Sequence, residues 1–166
     1  MTHYAKYVTP FGEFYIGYTD DAVTEFTNTP GVYEDIRSSL SDEAAKQLDE
    51  YFAGKRREFS LPLALKGTEF QMKVWKALLD IPYGEVRTYG EIARAVGNPK
   101  ASRAVGMANH RNPIAIIVPC HRVVASGGIG GYGLGLEMKT ALLALEGYRC
   151  CYAKQAYLHR HRRKNV

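Results

Sequence analysis

The run Glu13-Phe14-Tyr15-Ile16-Gly17-Tyr18 alternates with a period of two, the pattern of a strand with one face buried. Thr9-Pro10-Phe11-Gly12 and Asp20-Asp21 supply turns around it, so residues 1–27 are expected to form short strands. Residues 28–40 carry no clear period and read as loop. Beyond them the period changes. Ala44, Leu48, Tyr51 and Phe52 recur at helical spacing and predict a helix over residues 42–53. Ser41 is its expected cap, Asp42 and Glu43 suit its positive end, and Gly54 can stop it. Residues 55–66 read as a connector with an extended piece at 59–65, and a domain boundary is placed there.

The second part is punctuated by caps. Thr68-Glu69-Phe70-Gln71 is a capping box opening a helix whose apolar face is Phe70, Val74, Trp75 and Leu78, ending before Pro82-Tyr83-Gly84. Thr88-Tyr89-Gly90-Glu91 is a second box, opening a short helix with Ile92, Ala93 and Val96 that Gly97 ends. Asn98-Pro99 is expected to open a third helix, with proline at its first turn and small residues along it. A three-residue Gly-Asn-Pro link makes the pair a helix-turn-helix. Ile114-Ala115-Ile116-Ile117-Val118 is wholly apolar between two prolines and reads as a buried strand or extended core segment. A glycine-rich loop spans residues 126–133, and a last helix is predicted over 137–146, ended by Gly147.

The reading is an α+β (mixed α/β) protein in three stretches: residues 1–66, 67–149, and a basic tail, 150–166, expected to be loose. Apolar residues make up 46% of the 166, enough for a core. No run approaches the roughly 18 apolar residues that span a bilayer, so no membrane partner is expected. The N-terminus has no long apolar stretch of the secretory kind. Cys120, Cys150 and Cys151 form no spaced disulfide framework, which favours a reducing cytoplasm. Charge is uneven: residues 1–66 carry seven Lys/Arg against eleven Asp/Glu, residues 67–149 ten against six, and residues 150–166 five against none. A basic second part suits an anionic partner, although a solvated surface would give the same numbers.

Cys120 follows the apolar segment and precedes His121. A cysteine nucleophile works as thiolate and needs a base or positive surroundings, which His121 can supply if a carboxylate orients it. On its own the pair is weak evidence, since cysteine is commonly a small buried hydrophobe.

Pro119-Cys120-His121-Arg122-Val123, however, resembles the active-site motif of the O6-alkylguanine-DNA alkyltransferase family. Gly67-Thr68-Glu69-Phe70-Gln71, Ile81-Pro82-Tyr83-Gly84-Glu85, Tyr89-Gly90-Glu91-Ile92-Ala93, Asn98-Pro99-Lys100 and Arg103-Ala104-Val105-Gly106 resemble further blocks of that family. Asn112-Pro113-Ile114, Gly130-Gly131-Tyr132 and Leu142-Leu143-Ala144-Leu145-Glu146-Gly147 continue in order, so the resemblance covers residues 67–147. Residues 1–66 fit in length and in their strand-then-helix character.

The resemblance implies a ribonuclease-H-like N-terminal domain, an antiparallel sheet with a helix, followed by a mostly helical domain with the helix-turn-helix. It implies irreversible, once-per-molecule transfer of an alkyl group from O6 of guanine, and from O4 of thymine, to Cys120. His121 would take the thiol proton through a water, Glu146 would hold His121, and Tyr89 would donate to guanine N3. The base must be flipped out of the duplex, with Arg103 filling its place and the recognition helix in the minor groove. Lys100, Ser102, Ala104 and Arg111 would flank Arg103 on DNA. Asn112 would brace the turn before the active-site segment. Backbone groups around Val123 and Gly133, with Tyr132, would read the base. Gly133 stands where many members carry serine, and Leu134 where a small residue is common.

The implied partner is double-stranded DNA containing O6-alkylguanine, bound by a monomer, with cooperative binding left open. No cofactor is expected. Some relatives hold a structural zinc in the N-terminal domain, but residues 1–66 contain only His3 and no cysteine, so no metal is expected. Two other readings remain: a non-catalytic protein that binds alkylguanine lesions, and a cysteine hydrolase with a Cys-His-Glu triad. The expected location is the cytoplasm, at the nucleoid if the source is prokaryotic.

Overall fold

A strand with alternating burial needs neighbours, and the first segments supply them to each other. The computed structural model describes residues 1–29 and 34–148. Strands β1 (His3–Thr9), β2 (Gly12–Tyr18) and β3 (Val23–Thr27) form an antiparallel sheet in the order β1-β2-β3. The inward positions of β2 are Phe14, Ile16 and Tyr18, and Phe14 stacks on Phe26 of β3 with centroids 4.6 Å apart. Gly17 lies between Tyr4 and Glu25 on the flanking strands. A Cβ there would come within 2.9 Å of the Glu25 Cβ and 3.0 Å of the Tyr4 ring, so the middle strand requires glycine at that point. The vacated space lets the Tyr4 hydroxyl donate to Glu25 at 2.8 Å.

Helix α1 (Ser39–Phe52) begins three residues earlier than its apolar spacing suggested. Ser38, not Ser41, is the cap. Its hydroxyl accepts from the Ser41 N–H at 3.1 Å, while the Ser41 hydroxyl accepts from the Ser38 N–H at 2.9 Å. This is a capping box with serine in the place usually held by Glu or Gln, which the sequence pattern conceals. Ala44, Leu48 and Tyr51 are buried, and Phe52 is half-buried.

Residues 62–64 pair with Val23 in parallel: Val23 N–H donates to Pro62 and Ala64 N–H to Val23. Residues 112–118 join the same unit, with Phe26 N–H donating to Pro113 at 2.9 Å. The chain thus divides into Met1–Thr68 with Asn112–Val118, and Glu69–Arg111 with residues 119–148.

The apolar run at 114–118 is buried as expected but is not a strand. It doubles back: Ile117 N–H donates to Ala115 at 2.9 Å and Val118 N–H to Ile114 at 3.0 Å. At the bend Ile116 has φ 72°, the only non-glycine residue with positive φ among those described. A β-branched residue there is strained and is held only where its surroundings fix it. Burial of all five side chains and the Asn112 carboxamide do so. Asn112 donates to Val118 O at 2.8 Å and accepts from Ile114 N–H at 3.0 Å.

In the second unit, α2 (Glu69–Leu79) starts directly after Thr68 and buries Val74, Trp75 and Leu78, with Phe70 half-buried. The Trp75 indole donates to Ala108 O at 2.9 Å, tying α2 to α4 (Ser102–His110). Between them run β4 (Arg87–Thr88) and α3 (Tyr89–Ala95). The Thr88–Glu91 capping box forms as its spacing predicts, at 3.1 and 3.2 Å. The third helix does not start at Pro99. Residues 96–101 form the link, in which Ala101 N–H donates to Asn98 O, and α4 begins at Ser102 without a side-chain cap. Proline at 99 sits in this turn rather than at a helix N-terminus, so the helix-turn-helix has a six-residue link.

β5 (Val123–Val124) pairs in parallel with β4, Arg87 opposite Val123 and Thr88 opposite Val124. Helix α5 (Leu136–Leu145) closes the unit, with Glu146 at its C-cap and Gly147 at φ 80°. The basic tail and Cys150-Cys151 lie outside the described residues. Among those described, no helix is long and apolar enough to cross a membrane.

Candidate active site

The short β4–β5 pair brings two distant residues to one place. Tyr89 follows β4 directly, and Cys120 opens a 3-10 turn, Cys120–Arg122, that leads into β5. Both border a cavity of about 360 Å³, together with Asn109 and Tyr132. The remaining lining comes from His110 and from Gly106, Gly131 and Gly133, which add no side-chain bulk. A volume of this size lies in the range that holds small ligands. Cys120 is 6% exposed and is the one cysteine among the described residues.

Behind the cysteine lies a buried ionic cluster. His121 is fully buried, and its Nε2 is 2.7 Å from Glu146 Oε2. A carboxylate acceptor on Nε2 assigns the proton there and leaves Nδ1 as the basic nitrogen. Nδ1 is sealed from solvent and hydrogen-bonds to no described residue. Burial lowers the His121 pKa below 6.5, with the Glu146 contact opposing. The ring is therefore neutral at pH 7 and able to accept a proton.

Glu146 holds more than His121. Arg122 donates to it through Nε at 2.7 Å and through Nη2 at 3.1 Å, a bidentate pair, while Nη1 donates to Ile81 O at 2.7 Å. The Gly84 N–H donates to Oε1 at 3.4 Å. The carboxylate sits at the C-terminal end of α5, where the helix dipole disfavours it. The arginine offsets that cost.

The Tyr89 hydroxyl accepts from the Gly131 N–H at 3.2 Å. Burial raises its pKa, so it remains a protonated donor at neutral pH. Gly130 has φ 75°, and a Cβ there would meet the Tyr89 hydroxyl at 2.8 Å, so this loop can lie against Tyr89 only as glycine. Lys139 is buried and pins the same loop, donating to Val123 O at 2.6 Å and Gly131 O at 2.8 Å. Burial pulls its pKa down to about 8.

The residues singled out from the sequence divide into three groups. Cys120, Tyr89, Tyr132 and Gly133 line the cavity; His121, Glu146 and buried Val123 stand behind it. Arg103, Ala104 and Arg111 are exposed at α4, Ser102 is half-buried at its start, and Lys100 is exposed in the link before it. Asn112 is in neither place and fastens the 112–118 bend. Sequence reasoning missed Arg122, Lys139 and Asn109. Arg122 lay inside the quoted motif, and Lys139 stands among the buried Met138, Leu142 and Leu143 of α5. A lone lysine on an apolar face was the available signal. Among the described residues no cluster of His, Cys, Asp or Glu could hold a metal.

A buried cysteine beside a neutral imidazole and a bound carboxylate thus sits in a unit built on a helix-turn-helix. The 6-O-methylguanine DNA methyltransferase family matches in both parts: its ribonuclease-like domain at residues 2–65 and its DNA binding domain at residues 69–148. The chain belongs to this family. The methylated-DNA--protein-cysteine methyltransferase of Mycobacterium leprae is 50% identical over 90% of this chain and 94% of its own. The crystal structure of the Mycobacterium tuberculosis O6-methylguanine methyltransferase superposes with a TM-score of 0.81 at 45% identity, covering 91% of this chain and 96% of that one. The Mycobacterium tuberculosis protein in complex with DNA gives 0.79 at 47% identity, covering 87% and 93%.

Proposed function

We propose that this protein reverses alkylation damage in DNA directly, as a methylated-DNA--protein-cysteine methyltransferase that moves the alkyl group from guanine O6 to Cys120. The observation that carries the reading is a buried cysteine at the wall of a base-sized cavity, backed by a His121 that is neutral and held by Glu146.

The steps follow from the groups present. The thiol proton passes to His121 Nδ1 through a bridging water, and the resulting imidazolium is charge-balanced by Glu146. The thiolate attacks the alkyl carbon in line; a C–S bond forms as the C–O6 bond breaks. The electron pair goes to the departing guanine, which takes a proton at N3 from Tyr89, and the proton held on His121 restores the Tyr89 hydroxyl through water. The product is a thioether with no route back to thiol, so each chain acts once. O4-alkylthymine is a second substrate. Arg122 and Lys139 are positioning residues, the first for Glu146 and the second for the loop that accepts the base beside Val123 and Gly133.

DNA is the partner. The exposed face of α4 enters the minor groove, Arg103 occupies the space left by the flipped base, and Lys100, Ser102, Ala104 and Arg111 contact the strands around it. The protein binds as a monomer and works in the cytoplasm. Extrusion costs a few kcal/mol, which the filling side chain offsets. Arg103→Ala is therefore expected to slow repair in duplex DNA by about tenfold to a hundredfold while sparing transfer from free O6-benzylguanine. Equal loss on both substrates would contradict the finger role.

Mass spectrometry after incubation with DNA containing O6-methylguanine tests the reading. The peptide holding Cys120 should gain about 14 Da, one methylene, at one equivalent per chain. Intact lesion DNA and an unmodified Cys120 peptide would refute it; tight lesion binding in that case would point to a non-catalytic sensor.

A further inference from the structure

Helix α4 buries Val105 and Ala108 and leaves Arg103, Ala104, Met107 and His110 exposed, with exposed Arg111 at its C-cap. Positions 103, 107 and 111 are each four residues apart, so they form one stripe along the helix. Arginine stands at both ends of the stripe. Its middle is Met107, 58% exposed. A lone apolar side chain on a surface needs no explanation by itself. The surroundings of this one do call for one. Gly106 and His110, on either side of it in sequence, both line the cavity that holds Cys120. No acidic residue offsets the arginines nearby in the chain, since residues 92–136 contain no Asp or Glu. An apolar side chain between two cations, at the edge of a base-sized cavity, suits a polyanion that also offers apolar surface. Duplex DNA offers both in its minor groove, where the deoxyribose edges lie between the phosphates.

Resting on the placement of α4 against DNA, we propose that Met107 is a DNA-binding residue whose side chain packs on the sugar edges of the minor groove. Four helical residues advance about 6 Å, under two base-pair steps, so Met107 acts beside the place that Arg103 fills. Proteins of the minor groove use apolar side chains of this kind. The unbranched thioether has no hydrogen to donate and follows an irregular surface, so the contact is indifferent to base sequence. It also differs in kind from its arginine neighbours. Burying a methylene chain removes apolar surface from water and releases no counterions, so its share of the affinity is not screened by salt.

The test measures affinity for a duplex containing O6-methylguanine on a Cys120→Ala background, so that no transfer intervenes, at salt from about 50 to 200 mM. Met107→Ala, Met107→Leu, Arg103→Ala and Arg111→Ala are compared with the parent. Transfer from free O6-benzylguanine is followed for each substitution in the chain that keeps Cys120. Alanine and leucine both favour a helix, so α4 is retained. Met107→Ala is expected to bind about fivefold to tenfold more weakly, by the same factor at every salt concentration. Met107→Leu should stay within about twofold of the parent, because it restores the apolar surface. Arg111→Ala should instead lower the salt slope by about one. Transfer from O6-benzylguanine should not change with Met107→Ala. Binding by Met107→Ala within about twofold of the parent overturns the proposal, as does leucine binding no better than alanine, or an equal loss on the free base. If Arg103→Ala and Arg111→Ala also bind like the parent, the placement of α4 on DNA fails with it. If those two weaken binding and Met107→Ala does not, the assignment of Met107 falls alone.

Discussion

Cys120→Ala is expected to abolish methyl transfer and to leave lesion binding standing. The two effects should separate because Cys120 is the one thiol among the described lining residues, while the proposed DNA contacts lie on α4. Cys120 is 6% exposed, so its contact with a bound base is small. In the proposed complex, phosphate contacts around α4 and the pocket's hold on the base supply the binding energy. No adduct should form over hours, whereas the dissociation constant for a lesion duplex should stay within about threefold of wild type. Alanine in place of cysteine removes little volume, so folding should persist. Gel-shift titration and intact-mass measurement on one preparation check both halves. An adduct on the variant would move the acceptor to Cys150 or Cys151.

Glu146→Gln should be the most damaging change to the cluster behind the nucleophile. It strips the negative charge from a buried site that keeps the Arg122 guanidinium and the His121 ring. Removing one partner of a buried ion pair costs about 3–5 kcal/mol, because the other charge stays behind uncompensated. Chemistry suffers independently. The two contributions that hold the His121 pKa up both come from Glu146, and burial together with Arg122 pushes it down. Without the carboxylate the imidazole is a weaker base, and transfer should slow by about a hundredfold or more. Arg122→Met added to Glu146→Gln should recover part of the stability, since the stranded charge is gone, but none of the rate. Urea unfolding and single-turnover kinetics distinguish the two. In the wild type the sign of the pH dependence follows from the lowered His121 pKa. The unfolded imidazole binds a proton more readily than the folded one, so stability falls as pH drops below about 6.5, and the rate falls only at lower pH, where the folded ring itself takes a proton. Full transfer at a pH low enough to protonate the ring would remove His121 from the proton path.

What could be read from the sequence was what local rules govern. The alternation around Phe14 and Ile16, the Thr88–Glu91 box and the glycine after α5 each depend on neighbours a few residues away. The first helix began early because Ser38 and Ser41 cap each other, a pairing that serine content alone does not announce. The third began late because Pro99 suits a turn as well as a first helical residue. The bend at Ile116 contradicts every local preference of isoleucine and is imposed by burial and by Asn112. Cys120, His121, Glu146 and Tyr89 were named from the ordered motifs, not from any periodicity. Arg122, Lys139 and Asn109 escaped because their partners, or the cavity they border, are distant in sequence and have no local signature.

Distance along the chain also decides when the sulfur becomes dangerous. The link from His121 to Glu146 spans 25 residues, that from Arg122 to Ile81 spans 41, and that from Tyr89 to Gly131 spans 42. Closing loops of that length is entropically costly and belongs to the non-local, slower part of folding. No stretch short enough to fold by itself contains a base, its carboxylate and the base-accepting wall together. A half-made chain, still on the ribosome or partly unfolded, carries an ordinary thiol at position 120. Under the once-per-chain transfer proposed above, reactivity withheld until assembly is complete protects each copy from being spent before it can reach its target.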